Sequence, residues 1–164
     1  HAVGSQRMTD QPLTLPDGTV VTPDAVLGPA RAGRKLAITG DTAPSPHVVQ
    51  AAHNADVLVH EATFGADERD RARETMHSTA AEAAEVAKLA AVRLLALTHV
   101  STRYFGTELR DEARAVFAET VVPRDFDVLE IPFPERGASR LAKAGARPLS
   151  SAADGPDGAS GGGR

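Results

Sequence analysis

Short apolar runs that close on polar residues recur along this chain, and between them apolar positions return at helical spacing. The first run is LTLPDGTVVT at 13–22, where Pro16-Asp17-Gly18 separates two β-prone pieces and predicts a small hairpin. GPARAG at 28–33 reads as a loop. From Arg34 the pattern becomes strand, turn, helix, repeated. KLAIT (35–39) is a strand closing on Gly40-Asp41-Thr42, and Ser45 and Pro46 supply the N-cap and first residue of a helix over 46–55. ADVLVHEAT (55–63) is a second strand. The segment 65–76 is nearly all charge and reads as a mobile, solvated loop or a frayed helix.

Thr79 and Glu82 have capping-box spacing and open an alanine-rich helix predicted over 80–92. RLLALTHV (93–100) is a third strand, again with its polar residues at the end. Within 107–120, Leu109, Ala113, Val116 and Phe117 form the stripe of a core-facing helix. DVLEIPF (127–133) reads as a last strand, which Pro132 places at a sheet edge. Strands alternating with helices predict an α/β domain built on a parallel or mixed sheet. Three regions follow: a hairpin and loop at 1–33, the core at 34–137, and a tail at 138–164. The Ala, Gly, Ser and Pro of that tail bury too little apolar surface to offset ordering entropy, so disorder is expected.

Composition narrows the picture. The 164 residues are 41% apolar and 24% charged, one domain's worth of chain, and contain no Cys. Disulfides, thiolate metal ligands and a thiol nucleophile are thereby excluded. No apolar run is long enough to span a bilayer, and HAVGSQRMTD shows no secretion signal, which together lead us to expect a cytoplasmic protein without membrane association. A first residue of His in place of Met points to sequence missing upstream. The net charge of −4 argues against a general nucleic-acid-binding coat but leaves room for a local basic patch. GxGxxG, Walker A and HExxH motifs are absent from the sequence.

In open α/β sheets, functional residues gather beyond the strand C-termini. Here the strands end in GDT (40–42), HEAT (60–63) and THVSTRY (98–104), while HST (77–79) opens a helix. Asp41, His60, Glu61, His77 and His99 therefore fall toward one rim. Each alone has an ordinary structural account: Asp41 as a turn cap, Glu61 as an arginine partner, His77 as a helix-flanking surface residue, His99 as a half-buried strand end. Taken together, so many titratable groups call for compensation by metal, hydrogen bonds or pairing. The chemistry they suit is metal-assisted hydrolysis, with Asp41 bridging cations, His99 ligating zinc, His77 donating a proton and Glu61 fixing its tautomer. His47 and His53 lie on different faces of one short helix and are expected at the surface.

GDT, ADVLVHEATF, MHSTAAEAAEVA and LLALTHVSTRY, in this order and spacing, resemble the C-terminal half of ribonuclease Z over roughly residues 13–133. This family comprises tRNA 3′-processing endoribonucleases of the metallo-β-lactamase superfamily. The resemblance implies the C-terminal half of an αββα sandwich, two zinc ions per complete site, precursor tRNA as substrate and a homodimer when full length. Asp41 then resembles the zinc-bridging aspartate and His99 the last histidine ligand. His77 resembles the HST histidine implicated in proton donation, Glu61 its partner, and His60 a structural residue. Ser101, Arg103 and Tyr104 are candidate phosphate contacts on side-chain chemistry.

The family's principal HxHxDH zinc motif is not in these 164 residues, nor is the tRNA-gripping arm. Two ligands cannot hold two zinc ions, so the isolated chain is expected to be inactive. The alternatives are another metallo-β-lactamase-fold hydrolase acting on a small ester or phosphodiester, and a truncated non-catalytic module.

Overall fold

The β-branched and aliphatic run VLVHE forms the central strand of a sheet whose far end carries the polar residues singled out above. The computed structural model describes residues 12–26 and 33–145. The first eleven residues, most of the 28–33 loop and the tail from 146 onward lie outside the described residues. The chain divides into two units, residues 1–33 and 34–164.

In the first unit, β1 (Leu13–Thr14) pairs antiparallel with β2 (Val20–Val21), the predicted hairpin. Gly18 takes a φ of 82°, its N–H donates to the Leu15 carbonyl at 2.9 Å, and Asp17 Oδ1 accepts from the Thr19 N–H at 2.9 Å. One helical turn, α1 (Pro23–Val26), follows.

In the second unit, β3 (Leu36–Ile38), β4 (Val57–Glu61), β5 (Leu95–Thr98) and β6 (Thr120–Val121) form a four-stranded sheet in that order. Every pairing is parallel. Four helices complete the frame: α2 (Pro46–Ala52), α3 (Arg69–Glu74), α4 (Ala80–Leu89) and α5 (Gly106–Val116). Side-chain alternation splits the packing. Leu58, Leu95 and Leu97 join Ala83, Ala84, Ala87, Leu109 and Ala113 in the main core, whereas Val57, Leu94 and Ala96 form a smaller cluster with Leu129 and Ile131. The alanines of α4 allow close packing while keeping helix propensity high.

The caps follow the sequence expectation. Ser45 Oγ accepts from the His47 N–H with Pro46 behind it, and Thr79 and Glu82 exchange both bonds of a capping box. Helix ends are earlier than predicted. Beyond α2 and α4 the chain turns at Asn54 (φ 55°) and Ala91 (φ 52°), and an alanine in that conformation leaves no sequence signal.

Four expectations need correction. The helix predicted over 107–120 ends at Val116, and Thr120–Val121 is instead the fourth strand of the sheet, too short for a periodic pattern to show. The last predicted strand does not join that sheet: β7 (Val128–Glu130) pairs antiparallel with β8 (Arg140–Ala142). β8 lies in the segment assigned to the disordered tail. Its order comes from pairing with a distant strand and from the Asp127 carboxylate, which accepts from Lys143 Nζ and the Ala144 N–H. Finally, the charge-rich 65–76 is a 3-10 turn (Ala66–Glu68) running into α3, with Ala72 fully buried.

Candidate metal and acid–base centre

Because the four strands run in parallel, their C-terminal ends make one rim. Asp41 follows β3 through Gly40, whose φ of 66° turns the chain. Glu61 ends β4. His99 follows β5 at a φ of 53°, a conformation costing a non-glycine residue roughly 1–3 kcal/mol. His77 arrives from α3: Met76, at φ 61°, turns the chain and the His77 N–H donates back to the Ala72 carbonyl at 2.8 Å. The HST segment is then stitched to the exit of β4, with Ala80 N–H donating to the Phe64 carbonyl at 2.9 Å.

Glu61 organises this rim. It is fully buried, and its carboxylate accepts from the Thr42 N–H (2.9 Å), the Thr63 N–H (3.1 Å), Thr63 Oγ1 (2.7 Å) and His77 Nδ1 (2.7 Å). Burial by itself pushes this carboxyl up. The hydrogen bonds from Thr63, Thr42, His77 and the Ser78 backbone outweigh it and hold Glu61 below its ordinary value. An ionised carboxylate only accepts, so His77 carries its proton on Nδ1 and keeps the Nε2 lone pair free.

Thr63 extends the same logic. Its hydroxyl proton is directed to Glu61, so its oxygen accepts from His99 Nδ1 at 2.8 Å. Both imidazoles are thereby set in one tautomer by a single buried carboxylate, the arrangement in which the other ring nitrogen serves as ligand or acid–base group. The rings stack with centroids 5.3 Å apart and 21° between planes. His99 Nδ1 also lies 3.6 Å from Asp41 Oδ1. Exposure rises outward: the His77 side chain is 22% accessible, His99 49% and Asp41 59%.

One ligand atom each from Asp41, His77 and His99 lies within 4.8 Å of the others. Two imidazoles and a carboxylate are a donor set suited to zinc, and this is the candidate metal site among the described residues. His77 thus stands within the cluster as well as on Glu61, so its geometry serves either a ligand or a proton donor.

The remaining sequence candidates fall elsewhere. His60, at 0% exposure, points into the fold; its Nδ1–H donates to the Glu61 carbonyl at 2.7 Å, and burial lowers its basicity. Its Nε2 is the buried side-chain atom without a partner among the described residues. Arg103 donates through Nη1 to both Glu68 oxygens at 2.9 and 3.0 Å, and the Tyr104 hydroxyl donates to Asp67 at 3.0 Å. Ser101 Oγ accepts from the Arg103 N–H at 3.4 Å. These residues tie the 98–105 loop to the 3-10 turn. Glu112 of α5 adds a second tie by accepting from the Ala66 and Ala81 N–H groups at 3.0 and 2.9 Å. His47 and His53 are exposed on α2 and its C-cap.

Sequence reasoning missed Thr63 as the link between the two imidazoles, and Glu112. Thr63 had a signal, since it closes the HEAT run two residues beyond Glu61; Glu112 had none.

No family model matches the chain. Curated relatives named Ribonuclease Z do. That of Natronomonas pharaonis is 50% identical over 126 residues, 75% of this chain and 41% of its own length. That of Halobacterium salinarum is 52% identical over 127 residues, 76% and 41% respectively. That of Lactiplantibacillus plantarum is 45% identical over 138 residues, 82% and 44%. Among solved structures, human tRNase Z, short form, is 35% identical with a TM-score of 0.50, covering 69% of this chain and 37% of that one. The metallo-β-lactamase fold protein YhfI of Bacillus subtilis is 30% identical with a TM-score of 0.51, covering 54% and 36%. The chain spans about two fifths of the length of the curated relatives it matches. On this identity, and with a parallel sheet whose rim holds Asp41, Glu61, His77 and His99, the chain belongs to the ribonuclease Z family of the metallo-β-lactamase fold.

Proposed function

We propose that this chain carries part of the active site of a zinc-dependent endoribonuclease that removes the 3′ trailer of precursor tRNA. The observation that supports it is the Glu61–His77 pair at 2.7 Å beside Asp41 and His99, on a chain about half identical to proteins named Ribonuclease Z.

Asp41 and His99 would hold the metal, Asp41 through its carboxylate and His99 through a ring nitrogen. Bound zinc supplies Lewis acidity and a lowered pKa for water at the scissile phosphodiester. The chain's own contribution is the proton. With Nδ1–H held by Glu61, the Nε2 of His77 takes up a proton from solvent and passes it to the leaving oxygen. Ser101, Arg103 and Tyr104 are substrate contacts in this reading; Arg103 reaches a phosphate by exchanging Glu68 for it. The whole protein acts as a homodimer in the cytoplasm.

Two ligands do not complete a two-zinc centre, so the 164 residues alone are inactive toward a precursor tRNA with a 3′ trailer. The decisive experiment grafts residues 34–137 into the Natronomonas pharaonis relative in place of its own matching segment. The expected chimera releases the trailer with zinc and loses this activity on His77→Ala. A folded, zinc-loaded chimera that leaves precursor tRNA intact would overturn the reading, as would zinc-dependent cleavage by the isolated chain overturn its inactivity.

A further inference from the structure

The rim does not stop at His99. One strand further, where β6 ends, lies a pocket of about 320 Å³ built from the loop after β5, the start of α5 and the ends of β6 and β8. Val100, Val122, Phe105, Arg110, Arg124 and Lys143 are among its lining residues; Arg110 is paired with Asp111 at 2.7 Å and Lys143 with Asp127 at 3.0 Å, and neither carboxylate lines the pocket. Adjacent parallel strands are about 4.8 Å apart, which sets this pocket about one strand spacing beyond the position of His99.

Three features separate it from ordinary surface. Phe105, the N-cap residue of α5, is 75% exposed, and Phe126, in the turn that carries Arg124, is 89% exposed at a φ of 68°. Two of the chain's five phenylalanines are thus presented to solvent in neighbouring turns. Asp127 shapes the turn beside the pocket: its carboxylate accepts from the Arg124 backbone N–H at 2.9 Å and pairs with Lys143 Nζ at 3.0 Å, and its side chain is only 4% accessible. Its pKa is lowered chiefly by the Arg124 backbone bond and then by Lys143. Gly106 opens α5 in close quarters, since a Cβ there would meet Val122 Cγ1 at 3.1 Å, so the helix start is held against β6.

An aromatic face beside cations is the chemistry that holds a nucleotide, the base stacking on the ring and the phosphate meeting Arg and Lys. We propose that this pocket binds one nucleotide of single-stranded RNA, with the base on Phe105 and the phosphate on Arg124, Lys143 and Arg110, the last two exchanging Asp127 and Asp111 for it. The assignment rests on the reading of the rim as an RNA-processing centre, and it places the flanking nucleotide of the substrate along the sheet toward β6.

The test is binding of a fluorescein-labelled single-stranded RNA hexanucleotide to the full chain by fluorescence anisotropy, over a series of salt concentrations. Phe105→Ala weakens binding about 5-fold or more, and Phe105→Trp restores it. Arg124→Ala and Lys143→Ala each reduce the slope of log affinity against log salt by about 0.7, whereas Lys88→Ala on α4 leaves it unchanged. Circular dichroism melting verifies that each variant stays folded; these exposed side chains are tolerant sites. Equal binding by the parent and the Phe105 and Arg124 variants, or no binding by the folded parent chain, overturns the pocket. Neither result touches the proposed reaction, which stands or falls on trailer release by the chimera and its loss with His77→Ala.

Discussion

Two carboxylate–imidazole pairs share one rim and differ in nearly every physical respect. Glu61 and His77 meet at 2.7 Å around a carboxylate that is fully buried and accepts four hydrogen bonds. Asp41 and His99 stand 3.6 Å apart, each about half exposed, and His99 Nδ1–H donates to Thr63 Oγ1. The first pair is held by the chain itself and is suited to fixing a proton on a chosen nitrogen. The second is open and weakly held, which is the condition of ligands that take their geometry from a cation. Thr63 joins them, so the buried pair also sets the tautomer of the open one.

The largest effect should come from breaking the buried pair. Glu61→Ala strands the Thr42 and Thr63 N–H donors and is expected to cost about 3 kcal/mol in urea unfolding, whereas Asp41→Ala costs under about 0.5 kcal/mol. Equal costs would erase the distinction between the pairs. Next is metal affinity. Asp41→Ala and His99→Ala should each weaken zinc binding by about 10-fold or more in calorimetry, since even loss of a ligand's hydrogen-bond partner costs that much. If the chain retained full zinc affinity in both variants, the open pair would not be a ligand pair.

The smallest effect sharpens the contrast by pH. Glu61 is held below its ordinary pKa in the fold, so the unfolded chain binds more protons there. Its stabilisation is complete above the unfolded value of about 4.3 and is lost as pH falls through the folded value. Urea midpoints measured downward from pH 6 should therefore fall in the parent chain and flatten in Glu61→Gln. A parallel decline in both would mean that other carboxylates carry the acid sensitivity.

Much of the local structure was legible because its causes are local. The Pro16-Asp17-Gly18 hairpin, the Ser45 cap ahead of Pro46 and the Thr79–Glu82 box all depend on residues at most eight apart, and the structure shows each one. The failures have the opposite character. β6 has two residues and owes its existence to β5 beside it, and β8 owes its own to β7 ten residues earlier. The charged 65–76 segment orders through Arg103 and Tyr104, more than thirty positions away, and its own composition argues for solvation.

The same division runs through the candidate site. By itself the sequence determined which groups are present and that they arrive at strand ends: Asp41 after a glycine turn, Glu61 closing an aliphatic run, His99 closing another, His77 before a capped helix. Only the tertiary structure decided that Glu61 chooses His77 rather than an arginine, that Thr63 bridges to His99, and that His60 turns inward. It also decided that Arg124 and Lys143 line one pocket with Phe105. Side-chain types and short-range caps follow from the covalent order of neighbours, whereas hydrogen-bond partners separated by 14 to 36 positions follow from parallel strand packing, which brings distant strand ends to one edge.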